Sequence, residues 1–445
     1  MRSTAAGIPF ALALLSSSAA AQGPVPGFEA PPIAIPGGPG VFTGGDLNGD
    51  SFEDLVVAMT GSSGAVALLG SAGGLGAPSP VVSGTAVFRV LLADANHDGK
   101  LDLFFVTPSA TRIALGVGNG TFGSPASVAT TSLIPAALAA GDLDLDGDLD
   151  VVLADGPGFS FVLGDGSGGF GPKTTVAGPV GALPRNLALA DLDHDGDLDV
   201  VTTVTQSSTT DRLAIYLGDG SGGFAAPSVA SIPGLSNVPT LALGDLNGDG
   251  TLDSLRAVNQ LAVMLPILPG RVEMRLGDGA GGFGAIAYAG SLTNGAALEA
   301  RDVTNDGLVD VAYVDGPSFG PGPASCSWLI ADGAGGLGPE TRVQPSVKPS
   351  ALLLDDLTHD GRIDLVTTDS NASTLHVLAG DGAGHFGPPT FAIGVQPRGL
   401  VTSDFDRDGR PDVAVASRAT TSVSVLLGTG SGFLPKTDFA AGAGP

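Results

Sequence analysis

The residues best placed to do chemistry lie in an acidic nonapeptide, most complete as Asp142-Leu-Asp-Leu-Asp-Gly-Asp-Leu-Asp150. Side-chain oxygens fall at positions 1, 3, 5 and 9, and a glycine at position 6 can take the positive φ that lets so short a loop wrap back on itself. Such a loop gathers hard oxygen donors around one point. Ca²⁺ takes six to eight oxygens at about 2.3–2.6 Å, and four side chains plus the carbonyl of position 7 supply most of them.

The pattern recurs eight times, starting at Asp46, Asp94, Asp142, Asp191, Asp245, Asp302, Asp356 and Asp404, at intervals of 48, 48, 49, 54, 57, 54 and 48 residues. One or two matches could arise by chance in an acidic chain, but eight in phase mark a repeat array. The candidate ligands of the first three loops are Asp46, Asn48, Asp50 and Asp54, then Asp94, Asn96, Asp98, Lys100 and Asp102, then Asp142, Asp144, Asp146, Asp148 and Asp150. Next come Asp191, Asp193, Asp195, Asp197 and Asp199, followed by Asp245, Asn247, Asp249, Thr251 and Asp253. The last three loops offer Asp302, Thr304, Asp306 and Asp310, then Asp356, Thr358, Asp360, Arg362 and Asp364, then Asp404, Asp406, Asp408, Arg410 and Asp412. Position-7 residues such as Lys100, Thr251, Arg362 and Arg410 enter through the main-chain carbonyl. Asp and Gly also suit plain turns, but carboxylates packed into one turn repel strongly without a cation between them.

Three loops depart from the pattern: Ser51 takes the position of the glycine in the first, and Thr304 and Thr358 replace the third-position ligand in the sixth and seventh. These sites are expected to be weaker or empty, giving five to eight calcium ions in all. His97, His194 and His359 stand at position 4, which points away from the cage, and each lies in a separate repeat, so a zinc site is not expected.

The elements around the loops follow one grammar. A short apolar strand such as Leu187-Ala-Leu-Ala190 leads into the loop, and a second strand such as Asp199-Val-Val-Thr-Thr203 leaves it. After a variable connection, a third strand runs into Leu217-Gly-Asp-Gly220, a Gly222-Gly-Phe224 turn, and a fourth strand. Runs of β-branched and aliphatic residues between Gly, Asp and Pro read as strands. Four antiparallel strands per unit of about 50 residues predict an all-β fold, a β-propeller of four-stranded blades. Eight loops predict eight blades. Because 27–35 reads as a spare fourth strand while the last repeat has its own at 436–440, seven blades with an outlying repeat is the alternative.

The acidic loop with its following strand, together with the Gly-rich turns at 166–171 and 279–284, resembles the FG-GAP/VCBS repeats of exported bacterial proteins and of integrin α-subunit heads. The resemblance runs from residue 27 to the end of the sequence. It implies calcium loops joining the first two strands of each blade, all on one face of the propeller.

Composition agrees with this reading. Of 45 acidic residues, 29 fall at ligand positions of the eight loops, so the net charge of −26 is largely metal-site charge that eight calcium ions would bring to about −10. Without a basic run, a nucleic-acid partner is not expected. The single cysteine, Cys326, excludes an intramolecular disulfide. Residues 1–21 have the form of a secretory signal, with Arg2, an apolar run from Ile8 to Leu15 and small residues before cleavage after Ala21. That leaves an N-terminal segment, 22–30, and the propeller, 31–445, as a secreted or periplasmic protein without a transmembrane segment and expected to be a monomer.

Catalysis is not expected, for His-Glu-x-x-His and phosphate-loop motifs are missing and the carboxylates are accounted for by the loops. The resemblance leaves a lyase or hydrolase role open, since relatives of this repeat occur in such enzymes. A protein or glycan ligand is the expected partner, although one Trp and three Tyr give few platforms for sugars. The connections between strands two and three are longest in repeats four to six, where 260–270 is apolar and 315–325 rich in proline, which makes blades four to six the expected recognition face.

Overall fold

The computed structural model describes residues 39–440 except 53, 60–63, 72–75, 131–134, 157, 180–182, 208–209, 234–240, 259–269, 293–294, 316–324, 344–348, 357–360, 370–373, 388–389, 393–396, 418–421, 430–432 and 435. They form eight antiparallel sheets, each built from one contiguous repeat with its strands paired in chain order. The blades span 39–82, 89–130, 138–176, 183–233, 242–292, 295–343, 349–392 and 397–440. Among the described residues there is no helix, so none that could cross a membrane.

The first strands of neighbouring blades touch, which makes them the innermost ring. The second strands are buried on both faces, as in Asp102–Val106 and Asp310–Asp315. This is why they read as continuous apolar runs rather than alternating ones. Alternation survives in the direction of packing: Val151 and Leu153 join a cluster with blade 2, whereas Val152 joins one with blade 4. The core is eight such clusters, one at each junction between blades.

The eighth junction closes the ring. Leu55, Val57 and Val66 of blade 1 pack against Val401, Phe405, Ala414 and Phe439 of blade 8. Thr437–Ala440 is the fourth strand of blade 8, paired with Ser422–Leu426 of its own repeat. Closure is therefore by packing of faces, with eight blades and not seven. Segment 27–35, the other candidate for a closing strand, lies outside the described residues.

The Gly-rich turns that end in phenylalanine serve these junctions. Phe122, Phe170, Phe224, Phe283, Phe386 and Phe433 each join the cluster shared with the preceding blade. One glycine of the turn packs on the residue just past the third strand of that blade: a Cβ on Gly281 would lie 2.3 Å from Leu217, and one on Gly120 2.5 Å from Leu69.

Candidate metal centres

All eight acidic loops join the first and second strands of their blades, with position 9 as the first residue of the second strand. They therefore share one face of the ring. Position 2 is the hydrophobic anchor of the loop: Leu47, Ala95, Leu143, Leu192, Leu246, Val303 and Phe405 are all buried in junction clusters.

A fixed set of hydrogen bonds shapes the loops. The position-1 carboxylate accepts the backbone N–H of position 6 in all eight, at 2.7–3.1 Å. The position-5 carboxylate accepts the N–H of position 7 in seven, at 2.7–3.0 Å. Position 9 does more than its sequence role as a ligand suggests. One of its oxygens accepts the N–H of position 2 at 2.7–3.0 Å in the seven loops where that residue is described. The other oxygen accepts an N–H just past the end of the third strand at 2.6–2.8 Å in every blade but the seventh, where the donor, Gly380, is the last residue of that strand. Each oxygen keeps a second lone pair for a cation.

Every described loop also takes positive φ twice, once at position 6 and once at position 4. His97, Leu145, His194, Asn305 and Arg407 hold φ between +56° and +63°, while Gly49 and Gly248 take this role at +73° and +74°. In three loops the side chain held this way reaches the next blade. His97 Nε2 lies 3.0 Å from Asp148 Oδ1, Asn305 Nδ2 donates to the Gly361 carbonyl at 3.2 Å, and the Arg407 guanidinium stacks 4.0 Å over the Phe52 ring across the closing junction. These position-4 bridges have no signature in spacing, because the partner lies a whole repeat away.

In three loops the carboxylates converge. One oxygen each from Asp142, Asp144 and Asp146, from Asp191, Asp193 and Asp199, and from Asp404, Asp406 and Asp412 lie within 4.8 Å of one another. Oδ1 of Asp142, Asp144, Asp191 and Asp193 is buried with no hydrogen-bond partner. A buried carboxylate oxygen without a partner is costly, and a cation among the three removes that cost. The donor set is all oxygen, which fits a hard cation of the calcium type.

The remaining loops differ. In the first and fifth, Asn48 and Asn247 donate to Asp50 and Asp249 at 3.0 and 2.8 Å, so positions 3 and 5 are bonded to each other. In the second loop the Asn96 oxygen accepts the N–H of Asp98 at 3.2 Å. In the sixth, the Thr304 hydroxyl donates to Asp310 at 3.4 Å. Thr358, His359 and Asp360 of the seventh loop lie outside the described residues.

Burial pushes the position-9 carboxyls up against the pull of their backbone donors, to about 6 in Asp54, Asp150 and Asp199 and to about 8 in Asp412. Asp406 is pushed up to about 6 by burial and by the charge of Asp408. The aspartates of the Leu-Gly-Asp-Gly turns behave oppositely. Asp165 and Asp219 are exposed, cap their own turns through Ser167 and Ser221, and are held below the usual carboxylate range by those hydroxyls.

The insertions expected to form a recognition face lie mainly outside the described residues, at 259–269 and 316–324. In repeat four the extra length forms a longer hairpin, Asp199–Ser207 against Thr210–Tyr216. Trp328, Tyr216 and Tyr313 are buried among blades, which leaves Tyr288 as the exposed member of the Trp and Tyr set.

A family model described as FG-GAP-like repeat matches residues 46–105, 94–153, 142–202, 203–255 and 356–415. No curated protein matches the chain. Among solved structures, the chain is similar to an Agrocybe aegerita lectin described as recognising non-reducing terminal N-acetylglucosamine, at 17% identity over 92% of this chain and 91% of that one, with a TM-score of 0.44. It is also similar to a Lactobacillus plantarum protein, at 15% identity over 80% and 97% of the two chains, with a TM-score of 0.48.

Proposed function

Because the chain belongs to the FG-GAP-like repeat family, we propose that it is an exported, calcium-stabilised β-propeller that acts as a binding or scaffold module rather than as an enzyme. The observation that carries the calcium reading is the set of buried, partnerless oxygens on Asp142, Asp144, Asp191 and Asp193. A plain turn would have no reason to bury them. Export agrees with this chemistry, since extracellular calcium modules bind at about 10⁻⁴ to 10⁻³ M, and the signal-like residues 1–21 supply the route. Ligands held in place by backbone N–H groups of the loop and blade favour a structural over a catalytic role for the ion.

The test is thermal unfolding of the mature protein, metal-free and across added Ca²⁺, with calorimetry counting the sites. The melting temperature is expected to climb with calcium by mass action on the folded state, with five to eight ions bound. Asp144→Asn is expected to reverse sign between the two conditions. Without metal it removes one of three repelling carboxylates and leaves the protein as stable or more so; in calcium it removes a ligand and lowers the melting temperature. A melting temperature indifferent to calcium, or an Asp144→Asn effect equal in both conditions, would sink the reading.

A further inference from the structure

Opposite the fourth residue of the second strand, each third strand carries a side chain that faces the preceding blade. In blades 3, 5, 6 and 8 this layer is polar, and the blade supplies its hydrogen-bond partners and ion pairs from within itself. In blade 3, Ser160 donates to Asp155 at 2.7 Å, and the other oxygen of Asp155 holds Lys173 at 2.5 Å. In blade 5, Glu273 lies between Arg256 and Arg275, at 3.4 and 3.0 Å. In blade 6, Tyr313, opposite Ser327, donates to Glu340, which pairs with Arg342 at 2.6 Å. In blade 8, Ser424 donates to Asp438, which also pairs with Lys436.

Blade 2 places Arg112 at this position, opposite Phe105. Among the described residues no carboxylate pairs with it. A cavity of about 290 Å³ opens against the guanidinium instead, between blades 1 and 2 and at the end of the blades away from the acidic loops. Its lining includes the buried Phe105 and the half-buried Val81, together with the hydroxyl-bearing Ser83, Thr85 and Ser109, of which Ser83 and Ser109 are exposed.

We propose that this cavity binds a small hydroxylated carboxylate of the sugar-acid class, which supplies the counter-charge that the other blades build in. A guanidinium takes a carboxylate through two parallel hydrogen bonds. The rim hydroxyls match a polyol, and the volume lies at the small end of ligand sites. The net charge of −26 opposes anions at long range, but beyond about 8 Å it is screened at physiological ionic strength. The inference rests on the propeller being a binding module, and not on calcium occupancy.

Titration calorimetry of the full mature chain in saturating calcium, with glucuronate and galacturonate as probes and glucose, sulfate and phosphate as comparators, tests it. One site for a sugar acid is expected, with no binding of glucose. Arg112→Gln is expected to weaken binding at least tenfold and Arg112→Lys less. Ser109→Trp, on the exposed rim, is expected to block the cavity while leaving the melting temperature unchanged. Binding that survives both Arg112→Gln and Ser109→Trp, sulfate or phosphate binding as well as the sugar acids, or no binding at all to a protein that calcium still stabilises would overturn the proposal. That last outcome leaves the calcium reading standing; sugar-acid binding by a protein whose melting ignores calcium would remove the calcium reading and keep this one.

Discussion

Each position-9 aspartate sits where three demands meet, since its backbone donors come from its own loop and from the third strand while its free lone pairs face the cage. Those donors oppose, without cancelling, the burial that pushes its carboxyl up to about 6 in Asp54, Asp150 and Asp199 and to about 8 in Asp412. Glu299 shows what a carboxyl without such donors does. It lies on the first strand of blade 6, in the inner ring, and burial pushes it up to about 7, with Arg301 on the same strand pulling the other way. The unfolded chain loses this proton near 4.5, earlier than the folded chain does. Glu299 therefore contributes no penalty at pH 4.5, and stability falls as pH rises from there through 7. Two to three pH units of separation correspond to about 3 kcal/mol. Glu299→Gln cannot ionise, so it is expected to match the parent in urea melts at pH 4.5 and to exceed it at pH 8 by up to that amount. Equal stability at both pH values would mean that the carboxyl is solvated.

At the scale of the element, the repeat is a device for gripping the previous blade. Gly281 takes φ +77° with its missing Cβ 2.3 Å from Leu217, whereas Gly250 takes φ +86° with nothing within 4 Å. Gly250→Ala is expected to cost only the strain of left-handed backbone, about 1–2 kcal/mol. Gly281→Ala adds overpacking of about 1–3 kcal/mol, and Leu217→Ala in the same chain is expected to recover that added part. Additive losses in a double-mutant cycle would show that the turn does not bear on the neighbouring blade. The contrast also marks what the sequence could disclose. Strand order, loop placement, the Gly-Gly-Phe turn and the ligand types of positions 1, 3 and 5 are local, and spacing reveals them. The two anchors of position 9 are less visible, because one donor is 14 to 24 residues away. The reach of His97 to Asp148 is set by a neighbouring blade, which no interval within one repeat can report.

Across the whole molecule, blade number was the ambiguous quantity because closure is the least local event in the fold. Each blade is complete in its own repeat, and among the described residues no strand is shared between the first and last blades. The ring is instead sealed by a buried apolar face, with Phe405 fully buried between blades 8 and 1 and Arg407 stacked on Phe52 above it. An open array of repeats frays from its ends; a sealed ring has none. Phe405→Ala removes one of the two phenylalanines of the seal and is expected to cost about 3–5 kcal/mol. Hydrogen exchange in the calcium-bound protein locates the loss. Amides of 39–68 and 397–426 are expected to exchange faster while those of blades 4 and 5, on the far side of the ring, keep their protection. A uniform increase round the ring would mean that the seal is one junction among eight equals, and an increase confined to blade 8 would mean that blade 1 does not depend on it.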